Sequence, residues 1–572
     1  MPNLIEQLDS HLAALLADWS LLTTALALAL LAFIAHPILA HDEPDTHPLL
    51  LARQSTAAPI RNKRESAVYR APETPYGYPL KTGLNVKAAG APKWANGKDG
   101  DLRDVWREVM RGGVGVGEDG RAVPRGGVMT VLGREEVVEE DLGELTRQIG
   151  VVGRALRGGG VRRVAVYLPN SVEYLLAIFA CAFYGITPVL LPYNQPHPKV
   201  YELLNATDAD ALICAAGNLP LDGLAKQCPA LRQLTWVVEK TSRHMDWSGA
   251  PGAAHDHLQV SVWHDLVGPA QAQDTPPAAL PTNDDLPTPP PLISVWQPAD
   301  PQLKPTLTTF TAANLVAAIA ALLTALPLRQ RLTPADLVLP ADGFAHSYIL
   351  CHTLAALYTH SAVALTSVAG PGVDLALASR ALNPTVILAS ASSLALLHAR
   401  ESAARTTLAA RVGKYTQGQT MAAGRMPTEG LLSRFLAPSP TASGTKPGAL
   451  RLILTSERLG YGTPPLTSTM LSDLRTFTRA RICYALTAAE VAGAITQSHV
   501  FDYRRVEGRG CAQFGVPVAC VEVKLVAESD GMVAGPRPRG AIVVSGPGVS
   551  GGVVRLSGVE GRVGEDGTLG YA

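Results

Sequence analysis

A chain of 572 residues, 47% hydrophobic and 17% charged, is too long for one ordinary core and predicts two or three globular lobes. Lys+Arg 49 balance Asp+Glu 49, so the basic excess that grips nucleic-acid phosphates is missing and no nucleic-acid partner is expected. Seven cysteines without a CxxC pair exclude a disulfide framework and a structural zinc site, and point to a reducing compartment.

The chain opens on an anchor pattern. Residues 19–40 hold no formally charged side chain and are mostly Leu, Ala, Ile and Phe. As a helix, roughly 22 such residues reach about 33 Å, enough for the hydrocarbon core of a bilayer. The preceding stretch contains no Lys or Arg, which argues against a secretory signal. Arg53, Arg61, Lys63 and Arg64 follow the segment, so the positive-inside rule predicts a single-pass anchor with the main body cytosolic. Asn205-Ala206-Thr207 fits a glycosylation acceptor, and that topology predicts an unmodified asparagine.

After the amino-terminal segment (1–45), residues 46–100 are polar and rich in turn formers, and read as an irregular lead. A first α/β lobe is expected over 101–267. It has helices at 101–110, 135–156, 171–184 and 200–205, and strands at 162–168, 186–191 and 211–215. Residues 268–292 (with DTPPAALPTNDDLPTPPPL) cannot supply a core and read as an exposed linker between lobes. A second α/β lobe is expected over 293–510, with helices at 314–326 and 346–358 and strands at 336–339, 384–389 and 450–454. Residues 511–572 read as a small, truncated β-rich subdomain with strands at 521–526 and 541–545. The fold class is α/β, with largely parallel sheets.

Two motif matches lack their structural context. Gly115, Gly117 and Gly120 satisfy GxGxxG, but a helix-like segment precedes them and Pro124 follows, so a glycine-rich loop is expected. Gly548-Val549-Ser550-Gly551-Gly552 satisfies GxSxG, yet VVRLSGVEGRVG after it cannot form the helix a nucleophile elbow requires.

An ordered series of segments carries a family resemblance. VAVYLPNSVEYLLAIFACAFYGITPVLLPYNQPHPKVYELLNATDADALI (164–213) resembles the adenylate-forming acyl-CoA synthetase superfamily. LTTFTAANLVAAIAAL (307–322) is similar to the helix after its phosphate loop, and VLPADGFAHSYIL (338–350) to its Leu-Pro…His motif. ALNPTVILAS, LRLILTSE, CYALTAAEVAGAITQS and QFGVPVACVEVKLV resemble its later motifs in the same order. With the anchor, the pattern is most similar to long-chain acyl-CoA synthetases. The resemblance implies two large α/β lobes plus a small β-rich subdomain, ATP with Mg, and CoA. It also implies a long-chain acyl group or nucleotide as ligand and an endoplasmic reticulum or related organelle membrane. By motif position it implies nucleotide or substrate contacts at Lys304, His346, Tyr484, Thr487 and Glu490, with Glu490 as the magnesium ligand.

The chain departs from that pattern at each chemical need. Its phosphate loop reads SVWQPADPQLKP, where Pro298 and Pro301 lack amide donors and Asp300 would repel phosphate. Ala485 replaces a motif glycine, and Ala488 and Ala489 displace Glu490 by two positions, about 200° if the segment were helical. The adenine turn has become TSERLGYGTPPL, and EDGTLGYA approaches the ribose motif where the sequence stops. The expectation is a membrane-anchored acyl-CoA-synthetase-like pseudoenzyme that binds an acyl chain, a nucleotide or a protein. Two alternatives stay open: an active long-chain fatty acid–CoA ligase whose terminal domain lies outside this sequence, and a membrane scaffold that binds no ligand.

Overall fold

A computed structural model describes residues 17, 20–39, 43–87, 91–92, 94–112, 126–132, 136–238, 258–268, 279–298, 300, 302–427, 449–505 and 510–572. Two units emerge, Met1–Asp45 and Thr46–Ala572. In the first, a helix Leu21–Leu39 is opened by reciprocal bonds, Ser20 N to Thr23 Oγ1 (2.6 Å) and Thr23 N to Ser20 Oγ (3.3 Å). Side chains of this helix are described only as far as Leu31. Among the residues described in full, no helix is long and apolar enough to cross a membrane.

The second unit contains three sheets. The strands Arg163–Tyr167, Thr187–Leu190, Ala211–Ala215, Gln233–Val237 and Gln259–Val262 run parallel, and Leu292–Trp296 joins them in the same sense. Thr306–Phe310 closes this seven-stranded sheet with an antiparallel pairing to Leu292–Trp296. Strands such as Arg163–Tyr167 are buried on both faces, which is why they read as unbroken apolar runs rather than alternating ones. The helix Val172–Tyr184 between them is apolar and buried along its length except at Glu173. Ser171 caps its start by accepting from Tyr174 N (3.2 Å), and Gly185 ends it at φ 76°.

The second sheet has nine strands. Arg481–Thr487, Leu452–Arg458, Val386–Ser390, Leu337–Pro340, Ala362–Leu365 and Val128–Leu132 lie side by side and parallel, flanked by antiparallel edge strands. A third, antiparallel sheet combines Glu522–Val526, Arg539–Ser545, Val553–Val563 and Leu569–Tyr571 with Thr56–Ala57 and Tyr69–Arg70.

Three expectations are corrected. The helix expected from residue 135 is preceded by a strand, Glu136–Glu140, paired with Val128–Leu132, and begins only at Leu142. Asp141 sets the start by accepting from Glu144 N (2.7 Å), a cap hidden within a continuous acidic run. The lead expected to be irregular is tied to the third sheet: Ser66 N donates to Leu525 O (2.8 Å), Gln54 N to Asp566 O (2.8 Å) and Gln54 Nε2 to Asp502 Oδ2 (2.8 Å). Strands of two residues show no periodicity, so nothing in the sequence announces them. Finally, the Pro-rich stretch is followed by two strands that still belong to the first sheet. Its described part is bound to the helix Leu102–Arg111, with Arg103 Nη1 donating to Leu286 O (2.6 Å) and Arg107 Nη1 to Asn283 Oδ1 (2.8 Å).

Gly115, Gly117 and Gly120 lie outside the described residues. Ser550 is followed by a strand, not a helix, and its hydroxyl donates to Thr309 O (2.8 Å).

Candidate functional site

In open parallel sheets, loops leaving the carboxyl ends of the strands diverge and leave a crevice. Here a cavity of about 300 Å³ lies where the carboxyl ends of both large sheets meet. From the first sheet come Asn170, the segment Leu191–Gln195, and Trp296; from the second come Asp342–His346, Arg458 and Tyr461. Asn170 ties the two sides together. Its Nδ2 donates to Pro340 O (3.2 Å) and Asp342 O (2.8 Å), and its Oδ1 accepts from Phe344 N (3.1 Å). The side chain is buried, so these three bonds hold the Asp342–His346 turn to the first sheet's loop.

A charged cluster forms one wall. Arg458 Nη2 and Asp342 Oδ2 form a short ion pair, and His346 Nδ1 stands 3.8 Å from the same oxygen. Complete burial pushes the Asp342 carboxyl up, but Arg458, His346 and the Gly343 amide outweigh it and hold it down at about 2. Burial and the Arg458 charge push His346 down to about 4 against the pull of Asp342. At neutral pH the wall is therefore a carboxylate, a guanidinium and a neutral imidazole.

The tautomer follows from the neighbours. Thr487 Oγ1 donates to Glu457 O at 2.7 Å, so its proton is committed. His346 Nε2, 3.3 Å from that oxygen, is then the donor, and Nδ1 is left as a buried acceptor with no partner. Arg458 Nε is likewise buried without a partner among the described residues. The wall's charges cancel, while one donor and one acceptor remain unmatched.

Behind this wall the expected nucleotide contacts are closed off. Tyr484 is wholly buried; its hydroxyl donates to Glu457 Oε2 (2.6 Å) and accepts from Leu466 N (3.1 Å). Burial raises Glu457 to about 7 against the opposing effects of Tyr484 and Arg458, so near neutrality this carboxyl is partly protonated. Of the expected site residues, His346 lines the cavity. Tyr484 and Thr487 adjoin it only through Glu457 and His346.

Lys304 is exposed in the connection between Leu292–Trp296 and Thr306–Phe310, and is absent from the cavity wall. Asp300 Oδ1 folds that connection onto Gln302 N (2.9 Å). Glu490 sits in a turn, not on a helix, and its carbonyl accepts from Ser550 N (2.9 Å). The displacement expected on a helical path is thus a turn insertion. Among the described residues, no three His, Cys, Asp or Glu side chains converge as a metal site. Tyr484 is buried and Glu490 is not among the residues that line the cavity.

Comparison with known proteins places this geometry. Residues 140–286 match the family described as AMP-binding enzyme. The chain aligns with an anthranilate CoA ligase solved with anthranoyl-AMP (15% identity, TM-score 0.54), covering 85% of this chain and 79% of that one. It aligns equally with a long-chain-fatty-acid-CoA ligase from Archaeoglobus fulgidus (13%, TM-score 0.55), covering 86% of each. The fold is that of the adenylate-forming ligases. A third solved structure with this fold, ATP-bound MatB from Rhodopseudomonas palustris, aligns at 15% identity and TM-score 0.53, over 82% of this chain and 78% of that one. No curated protein sequence matches the chain.

Within the adenylate-forming ligase fold, the residues that sequence reading missed are Asp342, Arg458, Glu457 and Asn170. Asp342 was legible as an acid one helical turn before His346. Arg458 lies 116 positions from Asp342, and no local pattern links the two.

Proposed function

We propose that this protein is an adenylate-forming-ligase-like binding protein that no longer adenylates, holding an acyl-type ligand in the 300 Å³ cleft at a cytosolic membrane face. One observation supports the reading: Tyr484 and Thr487, two of the positions expected to contact nucleotide, are bonded to Glu457 behind the cleft wall. Arg458 pairs with Asp342 at the cleft wall, and Glu457, on the strand Leu452–Arg458, accepts from the Tyr484 hydroxyl. Without a phosphate cradle and a stacking face, the electrostatic stabilisation that drives acyl transfer to ATP has no source among these residues.

The cleft suits a ligand with an apolar body. Tyr174, Phe344, Trp296 and Tyr461 line it, and its volume is at the lower end of ligand pockets. Arg458 and His346 line the cleft, so a guanidinium and a neutral imidazole stand beside a polar end such as a carboxyl group.

ATP–pyrophosphate exchange with long-chain fatty acids, using the purified 572-residue chain, tests the loss of adenylation. No exchange above background is expected, together with saturable fatty-acid binding that His346→Gln weakens. Clear exchange would instead make the protein a working fatty acid–CoA ligase.

The membrane assignment rests on the helix Leu21–Leu39 and its apolar residues, with Leu21, Leu22, Leu26, Leu30 and Leu31 all exposed within their unit. Nineteen residues rise about 28 Å, close to a hydrocarbon core of roughly 30 Å. The pair Leu26→Arg and Leu30→Arg is expected to move the protein from the alkali-resistant membrane fraction into the soluble one, since each buried charge costs about 3 kcal/mol. A wild-type chain fully extracted by alkali would sink the anchor.

A further inference from the structure

The helices Ala391–Ala404, Leu408–Ala422 and Ser468–Thr478 enclose a second, smaller cavity of about 70 Å³ that shares no residue with the cleft. Arg405, Arg411, Lys414, Gln417, Thr476 and Phe477 line it. Arg411, Lys414 and Gln417 follow at three-residue spacing and so share one helix face, beginning in the first turn where backbone amides add positive potential.

The cations are not fully spent. Arg405 is nine-tenths buried, lies 4.6 Å over the Phe477 ring, and gives Nε (3.0 Å) and Nη2 (2.6 Å) to Glu401 Oε2. Among the described residues its Nη1 is buried with no partner, and so is Oε1 of the buried Gln417 amide. Lys414 Nζ gives one of its three donors to Asp473 (2.7 Å). The guanidinium of Arg411 is exposed and makes no hydrogen bond or ion pair among the described residues. Two carboxylates, Glu401 and Asp473, thus face three permanent cations, with His398 also on Asp473 (3.1 Å). The balance leaves one uncompensated positive charge at the mouth and an orphaned guanidinium donor at the wall.

We propose that this cavity is a phosphate-binding site. About 10–15 Å³ accommodates one water, so 70 Å³ admits a tetrahedral oxyanion and little more. Guanidinium and ammonium groups approaching from two helices match phosphate oxygens, and the Gln417 amide presents either end to the ligand. The phosphate comes from a soluble phosphate group or from a lipid headgroup, which share this chemistry.

Titration of the full chain with inorganic phosphate, followed by phosphorus NMR, tests the site. Phosphatidylcholine vesicles with and without phosphatidic acid form the second arm. Saturable binding is expected in at least one arm, weakened about tenfold by Arg411→Gln and again by Lys414→Gln. The exposed control Arg537→Gln is expected to leave it unchanged. Binding in the first arm alone identifies a soluble phosphate, and binding in the second alone a headgroup. Absence of binding in both arms overturns the site, as does equal weakening by Arg537→Gln, which would mark nonspecific charge attraction. Arg411 is exposed, so its replacement leaves the fold intact and a loss of binding is a loss of the site.

Discussion

Replacing Arg458 with methionine is expected to destabilise the protein by about 3–5 kcal/mol at neutral pH, because Asp342 would be left ionised and buried with its cation removed. Asp342 is only 1% exposed, so water cannot take the place of the guanidinium. The double variant Asp342→Asn with Arg458→Met is expected to lose less than Arg458→Met alone. An ion pair cut off from water repays little more than its own desolvation, whereas half of a pair is costly. Urea unfolding midpoints of the three proteins measure this. A cost below about 1 kcal/mol for Arg458→Met would mean that Asp342 is hydrated and the wall open, which removes the main support for a closed nucleotide subsite.

Opposed pH dependences form the second large effect. His346 is held down to about 4, so it stays neutral in the fold while it takes up a proton when unfolded. Its contribution is present above pH 6.5 and is lost as the pH falls through 6.5 towards 4. Glu457 is raised to about 7, so its contribution is present below pH 4.5 and is lost as the pH rises from 4.5 to 7. The two slopes oppose each other between pH 4.5 and 6.5. Relative to wild type, Glu457→Gln is expected to gain stability steadily from pH 4.5 to 7, and His346→Gln to gain it as the pH falls from 6.5 to 4. Each difference reaches at most ~3.5 kcal/mol, at about 1.4 kcal/mol per pH unit over about 2.5 units. Asp342, held down at about 2, adds a separate loss below pH 4 that neither variant removes. Parallel pH profiles for all three proteins would mean that neither group titrates as its burial dictates.

The fold was largely legible because its signals are local. A parallel strand buried on both faces reads as an apolar run, as Val164–Ala165–Val166 does. The helix expected from 171 begins where expected, capped by Ser171, whereas the one expected from 314 begins two residues earlier, at Ala312, behind a reciprocal capping box of Thr311 with Asn314. The elements that escaped notice have weak or shared signals. The helices Leu408–Ala422 and Ser468–Thr478 carry Arg, Lys, Thr and Gln among few apolar residues, so their periodicity is faint.

The candidate site divides in the same way. His346 stands out by its place in the motif-like segment 338–350, at the start of the helix Ser347–Tyr358, and it does reach the cleft. Tyr484 and Thr487 match a motif, but matching could not reveal which way the strand Arg481–Thr487 turns them. The structure turns both into the core, against Glu457.

By itself, then, the sequence determined the alternation of strands and helices, the apolar helix near the amino terminus, and the departures from the nucleotide motifs, because each depends on residues close together in the chain. Only the tertiary structure decided which charges meet at the cleft wall. Arg458 meets Asp342 because Leu452–Arg458 and Leu337–Pro340 flank the same strand, Val386–Ser390, in one parallel sheet. Strand order brings distant residues to a common edge, and burial there compels every charge to find a partner.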